Sequence, residues 1–176
     1  MDSGIDTSLN AATEERLLQQ ATDEKERITG NRPVCCRAPS WNHSAHTLTI
    51  VRKMEFLYEC SLMHDDRPYE LVQDGEATGL VELPVEWILD DAPLSNLRGN
   101  SYMNSRDVMQ VWFDEFDKAW EEETMCLLTI LSHISGHRSR IIALEGLIEQ
   151  IKAKGGAWFG TYEQAARYVR TQAGMD

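Results

Sequence analysis

"RPVCCRAPSW", residues 32–41, is the stretch on which the reading of this chain turns. Val34, Cys35 and Cys36 form a short apolar run that predicts a strand. Arg37, Pro39 and Trp41 follow at once. A strand ending in a guanidinium, a ring-locked proline and an indole is a poor finish for a plain core. It suits the wall of a groove, because the loops after the carboxyl ends of parallel strands form the functional face of βα-built proteins.

The neighbouring sequence supports such units. Residues 1–10 predict disorder. Ala11 to Thr29 predicts a helix, with Leu17, Leu18, Ala21 and Ile28 apolar and Gly30 as its stop. Ser44 is the expected cap of a brief helix through Thr47, Leu48, Val51 and Met54. "FLYECSL" (56–62) predicts a second strand, and "DDRPYEL" (65–71) a turn into irregular chain. In "LVELPVEWILDDAP" (80–93), Leu80–Leu83 and Val85–Leu89 are β-prone. Pro84 interrupts them and predicts an edge or a bulge.

Residues 91–104 predict a loop. Ser105 then opens a long helix in which Val108, Val111, Trp112, Phe116 and Trp120 recur at helical spacing, a core-facing stripe. "MCLLTIL" (125–131) predicts a buried strand and "SHISGHR" (132–138) a loop. A helix is expected over 139–154, with Ile141, Ile142, Leu144, Leu147, Ile148 and Ile151 inward and Gly155-Gly156 as the stop. "AWF" (157–159) predicts a short strand. Thr161-x-x-Gln164 is a capping box for the last helix. Alternating strands and helices joined by short loops define an α/β protein, and Arg37, Asp90 and the 131–137 loop fall just after predicted strands.

Net charge is −12, from 17 Lys+Arg against 29 Asp+Glu, which argues against a nucleic-acid backbone or an anionic membrane as partner. No apolar run is long enough to span a bilayer. The polar, acidic start resembles no signal or transit peptide, so a cytoplasmic location is expected. Cys35, Cys36, Cys60 and Cys126 make no CxxC pair and read as buried reduced thiols.

Several constellations could carry chemistry. His43 and His46 form an HxxH pair without a third metal ligand nearby, and His133 and His137 flank a glycine. "HDDR" (64–67) precedes Pro68 and reads as a turn with a local Asp–Arg contact. Asp90 and Asp91 end the Trp87-containing segment, where a carboxylate could orient a buried neighbour. Arg37 could hold such a carboxylate bidentately; a salt bridge between two loops is the equal alternative.

Taken together, "RPVCCRAPSW", "FLYECSLMHDDRPYEL", "LVELPVEWILDDAP", "VWFDEFDKAWEE" and "SGHRSRIIALEGLIEQIKAKGGAWFGTYEQAARYV" resemble, in order and spacing, the C-terminal two-thirds of a polysaccharide deacetylase, the NodB-homology fold of carbohydrate esterase family 4. Peptidoglycan-deacetylase-like and allantoinase-like branches are the nearest in look. The resemblance implies the C-terminal part of a distorted, incomplete (β/α) barrel over residues 11–172. It also implies hydrolysis of a non-peptide C–N bond, with an acetylated glycan or a small cyclic amide as substrate. The family uses a divalent metal, often zinc, held by one Asp and two His.

Position by position, Arg37 resembles the arginine that braces the catalytic base. Pro39 and Trp41 resemble the groove wall, Trp87 the tryptophan of the fourth motif, and Asp90 the aspartate that tunes the catalytic histidine. The family's metal ligands and base lie upstream of residue 11, so no cofactor is expected in this chain. Leu131 occupies the place of the acid histidine. His133, two residues on, would share its strand face at a displacement of roughly 6–7 Å. Cys36 replaces a small residue. The chain is therefore expected to be inactive alone. It would serve as a glycan-binding relative, or as one part of a split hydrolase that self-associates or pairs with an N-terminal half.

Overall fold

A computed structural model describes residues 9–95 and 103–175. The disorder expected for 1–10 falls mostly on 1–8, outside the described residues. Of the loop expected for 91–104, residues 96–102 lie outside them too, and Asp91–Ser95 is a short helix instead of loop. The chain divides into two compact units, Met1–Pro84 with Gly160–Asp176, and Val85–Phe159.

The first unit opens with α1 (Ala11–Thr29). The Asn10 side chain caps it by accepting from Thr13 N, and Gly30 ends it at φ 74°. Then come β1 (Cys35–Cys36), a 3-10 turn at Pro39–Trp41, α2 (Thr47–Lys53), β2 (Tyr58–Glu59), β3 (Tyr69–Gln73) and β4 (Glu76–Glu82). The sheet order is β1-β2-β4-β3, with β1, β2 and β4 parallel and β3 antiparallel to β4. Helix α7 (Tyr162–Ala173) closes the unit behind the complete Thr161–Gln164 capping box. Cys36, Val51, Phe56, Leu71 and Leu80 make the core.

Three expectations are corrected here. Residues 69–73 are a strand: Asp74 and Gly75, at φ 54° and 82°, make a tight hairpin into β4, the Asp-Gly signal that the sequence carried. Strand β4 is central, and Pro84 lies beyond its end, where no ladder hydrogen bond is lost. Ser44 is not the cap of α2, whose capping position is His46. Instead its Oγ accepts from His46 N and donates to the buried carboxylate of Glu14.

The second unit holds a 3-10 turn at Trp87–Leu89, α3 (Asp91–Ser95), α4 (Ser105–Glu121), α5 (Ser132–Ser135) and α6 (Arg138–Lys154). Its core is Leu89, Val108, Met109, Trp112, Phe116, Leu147 and Ile151. The strands expected at 85–89, 125–131 and 157–159 are absent, apart from one parallel bridge, Asp90 to Thr129. Leu127 is buried, and Cys126 and Leu128 pack against the helical core. An apolar run shows that a segment is buried but not that it has a ladder partner.

The residue after that bridge region enters α5 at Ser132, so the strand that would have carried Leu131 and His133 on one face does not persist. Ile141 and Ile142 are exposed, because the buried stripe of α6 runs through Arg140, Leu147 and Ile151. Arg140 donates to the carbonyls of Ile134 and Ser95 and so fastens α3 and α5 to α6. Trp120 is half-exposed rather than core. Its Nε1–H donates to Gly155 O, and Lys154 lies over its ring.

Trp112 is fully buried, and its Nε1–H donates to Ile88 O at 2.9 Å. Trp112→Ala is expected to cost about 3–5 kcal/mol in urea unfolding, and Trp112→Phe, which keeps most of the volume, about 1 kcal/mol more than packing alone.

Candidate functional site

The parallel register of the first unit sets one row of residues across the carboxyl ends of its strands. Cys36 lies opposite Glu59, Glu59 opposite Glu82, and Glu82 opposite Tyr69. Residues in one row point to one face, so the two glutamates meet. Both are fully buried.

Glu59 accepts from Ser61 N and Ser61 Oγ, each at 2.8 Å. Glu82 Oε1 accepts from Ser61 N and Leu62 N, at 3.0 and 2.9 Å. The other oxygen, Oε2, accepts nothing although it is buried. A proton resolves that orphan by turning it into a donor toward Glu59. Burial, then the charge of Glu59, pushes the Glu82 carboxyl up to about 8, so the pair keeps a proton at neutral pH.

Tyr69 OH is likewise buried without a partner, and burial, then Glu82, pushes its phenol up to about 12. His43 Nε2 lies 3.2 Å from Glu59 Oε2, but the contact is too far off line to count as a hydrogen bond.

Arg37 stands at the end of β1. Its Nε–H donates to Cys60 Sγ at 3.2 Å, and the guanidinium lies 4.9 Å from the centre of the Tyr162 ring. Tyr162 in turn stacks on Tyr58. Burial pushes the Cys60 thiol up to about 12, and Arg37 offsets only part of that rise. Cys60 is thus a packed thiol rather than a nucleophile. Pro39 and Trp41 form the turn that follows, with Ser40 at φ 53° and Trp41 at φ 56°. Two successive non-glycine residues in the left-handed region are a strained arrangement that the surroundings must hold.

The second unit carries Trp87, 53% exposed, and Asp90, whose Oδ1 accepts from Ala92 N at 2.7 Å. Its neighbour Asp91 is the more deeply wired. Asp91 is fully buried, and its Oδ2 accepts from Leu131 N at 3.0 Å and Ser135 Oγ at 2.6 Å.

Sequence reasoning placed Arg37, Pro39 and Trp41 at the first unit's strand ends and missed Glu59 and Glu82 beside them. The signal was present: a glutamate inside each of "FLYECSL" and "LVELP", where only a paired carboxylate can be buried. His43 precedes α2 and turns toward Glu59, while His46 is exposed at its start, so HxxH is not a ligand pair. Asp65 accepts from the backbone of Arg67, a turn as expected. All four cysteines are free.

No group of three or more His, Cys, Asp or Glu that could hold a metal ion occurs among the described residues. The donor set present does not fit the metal that the family resemblance implies. Among those residues no helix is long and apolar enough to cross a membrane.

No family model matches the chain. A Helicobacter pylori peptidoglycan deacetylase is 26% identical over 188 aligned positions, which cover 90% of this chain and 64% of that protein. A solved Mycobacterium smegmatis structure, assigned as a polysaccharide deacetylase, shares 30% identity and a TM-score of 0.83, covering 93% of this chain and 58% of its own. Sequence and fold both relate the chain to polysaccharide deacetylases over about nine-tenths of its length. Its α/β architecture is that family's barrel type, as the sequence resemblance implied. The solved Puue allantoinase has a TM-score of 0.82 at 22% identity, with 93% of this chain and 55% of that one covered, a likeness of fold alone. The chain thus spans less than two thirds of the length of each of these proteins.

The buried pair has a measurable consequence. Glu82 titrates near 8 folded against an ordinary 4.5, so between those values the folded chain holds a proton that the unfolded chain has lost. Its contribution to stability is complete below about pH 4.5 and is lost as pH rises to about 8. Urea midpoints of the wild type are expected to fall across that window relative to Glu82→Gln, which cannot ionise.

Proposed function

We propose that the chain is the sugar-contacting portion of a polysaccharide deacetylase fold. It takes an N-acetylated glycan at the carboxyl ends of β1, β2 and β4 and does not hydrolyse the acetamide unaided. The observation that carries this reading is the convergence of Arg37, the strained Pro39–Trp41 turn and the Glu59–Glu82 row on one end of a parallel sheet. Ligands of open α/β folds bind at that end.

The roles follow from chemistry. Trp41 offers a flat apolar face with a polar N–H, suited to stacking on a pyranose ring. Pro39 fixes the backbone before Trp41. Arg37 offers a rigid fork of donors, aligned by Cys60 and Tyr162, to an acyl or carboxylate oxygen. Asp90 braces the second unit's segment beside Trp87.

Two observations support the absence of unaided hydrolysis: the lack of a fitting metal donor set among the described residues, and Leu131 at the position of the expected acid histidine.

Calorimetric titration with N-acetylated chitotetraose tests the binding. The expected result is saturable binding that Trp41→Ala weakens by about tenfold, a loss of about 1–3 kcal/mol for the stacking contact. Binding of allantoin in preference to the glycan would point instead to the cyclic-amide reading. Acetate release by the chain alone would overturn the unaided-inactivity half.

A further inference from the structure

Residues 38–43 are tied to one carboxylate where they leave β1. Ala38 N donates to Ser61 Oγ at 2.8 Å, and Ser61 Oγ donates to Glu59 Oε1 at 2.8 Å. Further on, His43 Nε2 packs 3.2 Å from Glu59 Oε2 without a hydrogen bond. Ser40 and Trp41, both left-handed, lie between, with the local bonds Trp41 N to Ala38 O and Asn42 N to Pro39 O. A strained turn persists when its surroundings over-determine it, and here the surroundings include Glu59 and Ser61.

Glu59 in turn is held in place by Glu82. The Ser61 N–H is shared between the two carboxyl groups, and one proton between them is what lets both sit buried in one row.

We propose that the Trp41 turn is held by a proton-dependent clip: loss of the proton between Glu59 and Glu82 sets two buried carboxylates against each other, disturbs Ser61 and releases the turn. The clip joins a titrating pair to the aromatic wall of the site and thereby makes ligand binding there fall with rising pH. This ligand half rests on the glycan reading above; the clip itself does not.

The titratable groups packed on the pair are His43 from the turn, Tyr69 from β3, Cys36 from β1 and Cys60 after β2. Burial pushes both thiols up to about 12, and Tyr69 also to about 12, so these three keep their protons through the neutral range. The pair and His43 remain, and mutation separates them.

The experiment is a pH series of 1H–15N indole spectra from pH 6 to 9 on the wild type, Glu82→Gln and His43→Gln, with Trp41→Phe to assign the Trp41 signal. Chitotetraose is titrated at each pH. In the wild type the Trp41 signal should move in a one-proton step, and sugar affinity should fall by about tenfold per pH unit above it. His43→Gln should keep the step and Glu82→Gln should lose it. If Glu82→Gln does not fold, Glu59→Gln takes its place and should shift the step to lower pH.

An immobile wild-type Trp41 signal overturns the clip, as does an unchanged step in Glu82→Gln or a step lost only with His43. A normal step with no sugar bound at any pH leaves the clip standing and sinks the glycan reading.

Discussion

Glu59 and Glu82 are sealed from water, and each of their oxygens must find its proton or donor inside the fold. That constraint orders the whole end of the sheet. It recruits the backbone N–H groups of Ser61 and Leu62, turns the chain sharply after β2, and through Ser61 Oγ fixes where the chain leaves β1. Arg37 and the Pro39–Trp41 turn therefore stand where they do because of two glutamates on later strands of the sheet. A charge this deeply buried is tolerable only as a pair that shares a proton and is bonded on its remaining sides.

The second unit solves a similar problem with different parts. Asp91 is buried at the start of α3 and binds the chain at Leu131 and Ser135, while Arg140 meets the carbonyls that α3 and α5 leave open. These contacts replace a strand ladder that the segment 125–131 does not form. They hold residue 131 by its backbone, since the Leu131 N–H donates to Asp91.

Fold kinship and site chemistry rest on different residues in this protein. The fold is retained over 93% of the chain at a TM-score of 0.83, whereas the metal donor set has no counterpart among the described residues. Stacking and hydrogen bonding of the kind proposed for Trp41 and Arg37 would need no Lewis acid. A fold fixes where a site lies, and the side chains at the site fix what it does.

Read as sequence, the chain determined its long helices and most of their ends. Asn10, Gly30 and the Thr161–Gln164 box act within a few residues of where they stand, so their effect is written locally. It also determined the family, through motif order and spacing, and the position of Arg37 after a short strand. The Asp74–Gly75 hairpin was equally local and legible. The tertiary structure alone decided which apolar runs became strands, because a ladder needs a partner that the run itself does not name: residues 58–59 found two partners, while residues 125–131 found one bridge. It alone decided that Glu59 and Glu82 are a pair, since the register of two non-consecutive strands sets them side by side and only proximity in a dry interior makes two ordinary glutamates share a proton.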